Sequence, residues 1–170
     1  MTFAEYARIT STVDPVNPQD AATKNYVDNL RRTYMARAYR AGAFTYPSTA
    51  ATLTQPFIYD TVTQGSNYSA STGYYTTPVA GVYIVQARLS VTASASGQNL
   101  ACNVYWNDAL NVNGQALAPA ASALICQVAC LINAGAGNTI SIGTSISAAS
   151  ISLRASNTEC NFMVALVGAP

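Results

Sequence analysis

The sequence predicts an all-β head, a sandwich or jelly roll, joined to a short charged N-terminal stem. Three observations carry this reading. From about residue 42 onward, apolar residues recur at every second position in many short runs. Turn-forming residues separate the runs at regular intervals, with no helical pattern between them. Charge is also segregated. Of 8 Lys and Arg and 7 Asp and Glu, ten lie in residues 1–40, and only Asp60, Arg88, Asp108, Arg154 and Glu159 follow.

In chain order, residues 1–19 are expected to form an extended arm. Pro15 and Pro18 forbid a regular helix there and favour extended backbone around Val13. Asp20 is a good N-cap, accepting from the free N–H groups of the next turn. Ala21 to about Ala41 then reads as helix, so residues 20–41 are expected to be a helical stem. Val27, Leu30, Tyr34 and, more weakly, Ala38 and Ala41 fall three or four apart on one narrow apolar stripe. A helix this short is marginal alone, so the stripe asks for association around a symmetry axis. Arg31, Arg32, Arg37 and Arg40 read as a solvated or partner-facing basic run on the same helix. Gly42 suits its C-terminal stop.

The head is expected to span 42–170. Its expected strands are Ala43–Tyr46, Phe57–Tyr59, Tyr68–Ser69, Tyr74–Thr76, Gly81–Thr92, Leu100–Trp106, Ala123–Ile132, Asn138–Ser147, Ile151–Arg154 and Cys160–Val167. Turns are expected at residues 65–67, 71–73, 96–98, 107–108, 113–114 and 135–138, with a long loop over 111–122.

Charged residues make up 9% of the chain, where roughly 25% is usual for soluble domains. A head with so little surface charge is expected to bury part of its surface against copies of itself. The alternative is a monomer covered by Ser, Thr and Asn. Net charge is +1, which gives no global pull toward nucleic acid or anionic lipid. The opening run MTFAEYARIT has no apolar core segment, and no stretch reaches the ~20 apolar residues of a membrane span. Synthesis and folding in a cytoplasm are therefore expected, with Cys102, Cys126, Cys130 and Cys160 as reduced, mostly buried thiols.

The chemistry of a reaction centre is missing from the pattern. There is no histidine, and the head offers only Asp60, Asp108 and Glu159 as carboxylates. Without a base, its many hydroxyls are not activated nucleophiles. No metal or cofactor site is expected, and Gly135-Ala136-Gly137 reads as a hairpin turn that is no phosphate loop. Tyr59, Tyr68, Tyr74 and Tyr75 admit two roles, a ligand-binding face or core and interface packing, and packing is preferred. Trp106 is expected to be an inward anchor.

Two segments resemble known families. VDPVNPQDAATKNYVDN, residues 13–29, is similar to a short segment of bacteriophage tail fibres and other virion fibres, where it leads into a trimeric stem. That resemblance implies an anchor to a virion at Val13, Pro15, Pro18 and Asp20, and a stem carried by Tyr26, Val27, Leu30 and Tyr34. From about residue 42 to 168 the chain resembles the complement C1q/TNF-like jelly roll. The matching run is Tyr59-Asp60, Tyr68, then Gly73-Tyr74-Tyr75 through Pro78, Gly81 and Tyr83. Later, Leu131 to Ile142 and the closing Phe162 to Val167 fit the same pattern. Gly137-Asn138 stands where the family has Gly-Asp, and the last strand lacks the family's glycine. This resemblance implies a homotrimer, with Tyr59, Tyr74, Tyr75, Pro78, Gly81, Tyr83, Trp106 and Phe162 forming fold or interface.

The expected function is a non-enzymatic bacteriophage virion protein. It would be a short trimeric fibre or decoration knob, held to a capsid or tail protein by its N-terminus and facing a host surface. The alternative is a tail-tip, lectin-like receptor binder for a host glycan or protein. A glycan hydrolase using Asp60 and Asp108 is a third reading.

Overall fold

A computed structural model describes residues 34–42, 55–92, 97–117, 123–147 and 153–168. Val13, Pro15, Pro18, Asp20, Tyr26, Val27, Leu30 and the strand expected at 43–46 lie outside these residues. The described residues form strands and no helix: β1 (Met35–Tyr39), β2 (Thr61–Gln64), β3 (Tyr74–Thr76), β4 (Gly81–Thr92), β5 (Asn99–Trp106), β6 (Ala109–Leu117), β7 (Ala123–Ala134), β8 (Thr139–Ile146) and β9 (Asn161–Gly168). They build a five-stranded sheet, β2-β1-β9-β4-β7, and a four-stranded sheet, β3-β8-β5-β6. Every strand pair is antiparallel.

The core lies between the sheets. Tyr59, Tyr75, Tyr83, Phe57 and Phe162 are its largest fully buried side chains. Phe162 stacks on Tyr59 at 5.7 Å and leans on Tyr68 at 5.3 Å, while Phe57 meets Tyr59 edge-on at 5.0 Å. Such pairs add attraction beyond the area they bury. The β4 strand alternates strictly over its first seven residues, with Gly81, Tyr83, Val85 and Ala87 inward. Gly81 itself is required by close approach, since a Cβ there would lie 2.6 Å from the Gly168 carbonyl oxygen. Pro78 sits in the bend before β4, where no ladder donor is needed.

The expected helix is corrected over its described end. Residues 35–39 are β1, paired with β9 from Met35↔Ala165 to Tyr39↔Asn161 and with β2 on the other side. The stretch Met-Ala-Arg-Ala-Tyr has good helix propensity, but Ala36 and Ala38 are both fully buried in the sandwich. Two flanking ladders and that burial outweigh a propensity of a few tenths of a kcal/mol per residue. Tyr34, expected on a stem seam, instead accepts from the Leu166 N–H at 2.9 Å through its carbonyl and so extends the β1–β9 pairing. Arg37 and Arg40 are accordingly not on a helical stripe. Gly42 is no helix stop either, for its N–H donates to Asp60 Oδ2 at 2.8 Å.

Further corrections follow. The loop expected over 111–122 is strand as far as Leu117, and Asn113-Gly114 lies within β6 rather than at a turn. The strand β2 was not expected. Phe57–Tyr59 and Tyr68–Ser69 are extended segments or bridges rather than strands, and Leu153 makes one bridge to Val91. Residues 135–138 join β7 to β8 across the two sheets, so they form a crossover and not a hairpin.

Candidate interaction surface

The side chains that face away from the core on the five-stranded sheet form the surface with functional promise. The register sets them in rows. One row runs Met35, Ala165, Ile84, Leu131. The next runs Arg37, Met163, Gln86, Ala129, and a third runs Tyr39, Asn161, Arg88, Gln127. Val167, 57% exposed, and Leu131, 63% exposed, lie at the apolar end, whereas Ile125, paired with Ser90 beyond the Arg88–Gln127 row, faces water at 41% at the other end. From the Leu131 row to the Arg88 row the face therefore grades from aliphatic to polar. It carries Arg37 and Arg88 and no carboxylate among the described residues.

This face arises because β7 is apolar on both sides. Leu124, Cys126, Val128 and Ile132 point into the core, while Ile125, Ala129 and Leu131 alternate outward. That continuous run was the signal by which the sequence marked the face. The sequence does not bring Ile84, Leu131, Met163, Val167 and Arg88 onto one surface, because strand order is not visible in one chain.

The other expected site residues have structural partners. Tyr59, Tyr75, Tyr83 and Phe162 are buried in the core. The Tyr59 N–H donates to the Tyr68 hydroxyl at 2.8 Å, and burial pushes the Tyr68 phenol up to about 12. The Tyr83 hydroxyl donates to the Val79 carbonyl at 2.7 Å. Tyr74 faces outward and donates to Asp108 Oδ1 at 2.9 Å, which raises its own phenol pKa. The tyrosine cluster is thus mainly packing.

Trp106 packs against the core, and its Nε1–H donates to Asn138 Oδ1 at 3.0 Å. The same oxygen accepts from the Gly135 N–H at 3.0 Å. Asn138 therefore ties the crossover to β5 with a neutral side chain. Asn107 and Asp108 both have positive φ, 48° and 62°, and turn β5 into β6 as an Asn-Asp hairpin.

The described carboxylates do not assemble a reaction centre. Asp60 accepts from the Ala41 and Gly42 N–H groups at 2.7 and 2.8 Å and pairs with Arg40 Nε at 3.4 Å. Partial burial works against its ionisation. The two amides, the Thr61 hydroxyl and Arg40 outweigh that and hold its carboxyl below the ordinary value. Asp108 serves Tyr74 and Gln55. Glu159 pairs with Arg154 at 3.6 Å. The thiols of Cys102, Cys126 and Cys160 are buried and Cys130 is half-buried, with burial raising the pKa of each. Among the described residues no group of His, Cys, Asp or Glu could hold a metal ion, and no helix is long and apolar enough to cross a membrane.

No family model and no curated protein matches the chain. Solved structures do. The TNF protein Eiger from S. frugiperda superposes with a TM-score of 0.58 at 11% identity, over 82% of this chain and 96% of that one. The globular domain of zebrafish complement 1qA gives 0.56 at 13% identity, over 81% and 99%. Murine APRIL at pH 5.0 gives 0.59 at 11% identity, over 79% and 98%. The described sandwich is therefore a C1q/TNF-like jelly roll.

Proposed function

We propose that this chain is a non-enzymatic structural protein whose jelly-roll head assembles as a homotrimer through the aliphatic end of the outward face of the five-stranded sheet. The observation that carries the reading is the aliphatic end of that face. Leu131 and Val167 stay 57–63% exposed beside Ile84, Met163 and Met35, on a chain with few charges to keep such a surface in water. A closed ring of copies covers the face without leaving an open edge for further growth. Two further points support it: the likeness to TNF and C1q heads, and the separate roles found for every described carboxylate. The test is sedimentation of the purified chain. A mass of three times 17.8 kDa is expected, and a stable folded monomer overturns the proposal.

The setting is a bacteriophage particle, on this reading. Support comes from the run at residues 13–29, which resembles virion-fibre segments, and from the concentration of charge in residues 1–40. Residues 1–19 would hold a capsid or tail protein, and the head would face the host surface as a short fibre or decoration knob. Deleting residues 1–19 should abolish incorporation into particles, and particles that still carry the truncated chain refute this anchor. A tail-tip receptor binder is the second reading. Binding of the isolated trimer to host glycans on an array would favour it.

A further inference from the structure

The polar stretch of the same sheet face holds a cation with no carboxylate partner among the described residues. Arg88 stands on β4 between Asn161 of β9 and Gln127 of β7. It is half-buried, and its Nε is sealed from water without a hydrogen bond. The ion pairs between described residues are Arg40–Asp60 and Arg154–Glu159, so no carboxylate among them answers Arg88. A groove of about 500 Å³ runs over this position, with Gln86, Arg88, Gln127 and Asn161 as its polar side chains.

Partial burial of a guanidinium without a counter-charge is costly. Its planar fork of donors matches the oxygens of an oxyanion. The carboxamides of Gln86, Gln127 and Asn161 add further donors, and they also accept from hydroxyls. We propose that this groove binds a small oxyanion, with Arg88 as its principal contact. The described part of the chain does not supply that group. Asp60 is held by Arg40 and two amides, Asp108 by the Tyr74 hydroxyl, and Glu159 by Arg154. On this proposal the oxyanion comes from solution, either as an inorganic anion or as the carboxylate of a sugar acid. The site stands on one chain's own groove and does not depend on the trimer.

Thermal melting in sodium sulfate and in sodium glucuronate, each against sodium chloride of matched ionic strength, tests this. At an anion concentration about a hundredfold above its dissociation constant, the melting temperature should rise by about 5–10 °C. A response to sulfate alone supports the inorganic source, and a response to glucuronate alone supports the sugar acid. Arg88→Gln should abolish the response, whereas Arg37→Gln, outside the groove, should keep it. Gln127→Glu places a carboxylate directly across from Arg88 and should remove the response without lowering stability, so it decides the matter if Arg88→Gln does not fold. No response in the wild-type chain, or an unchanged one in Arg88→Gln or Gln127→Glu, overturns the proposal. Sedimentation under the same conditions reports assembly separately, so a monomer that binds is distinguished from a trimer that does not.

Discussion

Leu131→Asp is the sharpest perturbation of the proposed assembly. Fully burying a leucine side chain contributes about 1.5–3 kcal/mol. Leu131 keeps 63% of its surface exposed in a single copy, so covering it by a neighbour adds about 1–2 kcal/mol per copy. Three copies together lose about 3–6 kcal/mol, before any cost of desolvating three carboxylates. At 1.4 kcal/mol per tenfold, association should weaken by at least about 100-fold. The fold of one copy should persist, because the side chain points away from its own core. Sedimentation velocity across a dilution series reads the association, and far-ultraviolet circular dichroism reads the fold. Ala136→Asp, on the exposed crossover between β7 and β8, is the charge-matched control. A Leu131→Asp chain that remains trimeric over the wild-type concentration range refutes the reasoning, as does equal disruption by the control.

Three more outcomes are expected. Gly114→Ala would place its Cβ 2.8 Å from the Gln127 carbonyl oxygen and 3.1 Å from that of Cys102; both are backbone, so the change should cost about 1–3 kcal/mol in urea unfolding, and an unchanged midpoint would contradict the β6–β7 approach. Phe162→Ala removes the ring that touches Tyr59 and Tyr68 and should cost about 3–5 kcal/mol, measured the same way. The pKa of Asp60 is depressed on folding, so its carboxylate adds stability that is present above its unfolded value near 3.8 and fades as pH falls through the folded one. Asp60→Asn should therefore melt below the wild type at pH 7, with the gap closing below about pH 4, and a gap that stays constant down to pH 2 would remove the proposed role.

The strands with regular apolar alternation were legible whether they lie inside a sheet, like β4, or at its edge, like β3 and β7. Residues 74–76 and 81–92 form strands at the bounds the alternation predicts, and β5, β7, β8 and β9 differ from expectation by one or two residues at an end. The failures share a cause. The β1 strand is made of residues that favour helix, and only its partners β2 and β9 reveal it as a strand. In β6, Asn111, Asn113 and Gln115 sit on an edge where nothing demands apolar side chains. Gly114 reads locally as a turn residue, but it is glycine because β7 passes close behind it. The candidate surface was legible as a property, a shortage of charge, and not as a place. Locating it required the order β2-β1-β9-β4-β7, which pairs residues more than a hundred positions apart.

The seat of β1 also decides how the head carries load. The strand enters between two neighbours and not at a rim, with β2 on one flank and β9 on the other. Ladder bonds in such a sheet run perpendicular to the strands. A pull applied through residue 34 along the strand therefore strains both ladders in shear at once, rather than peeling them one bond at a time. A tether attached there would yield only when a whole row gives way together, which suits a part that must hold fast while something larger moves.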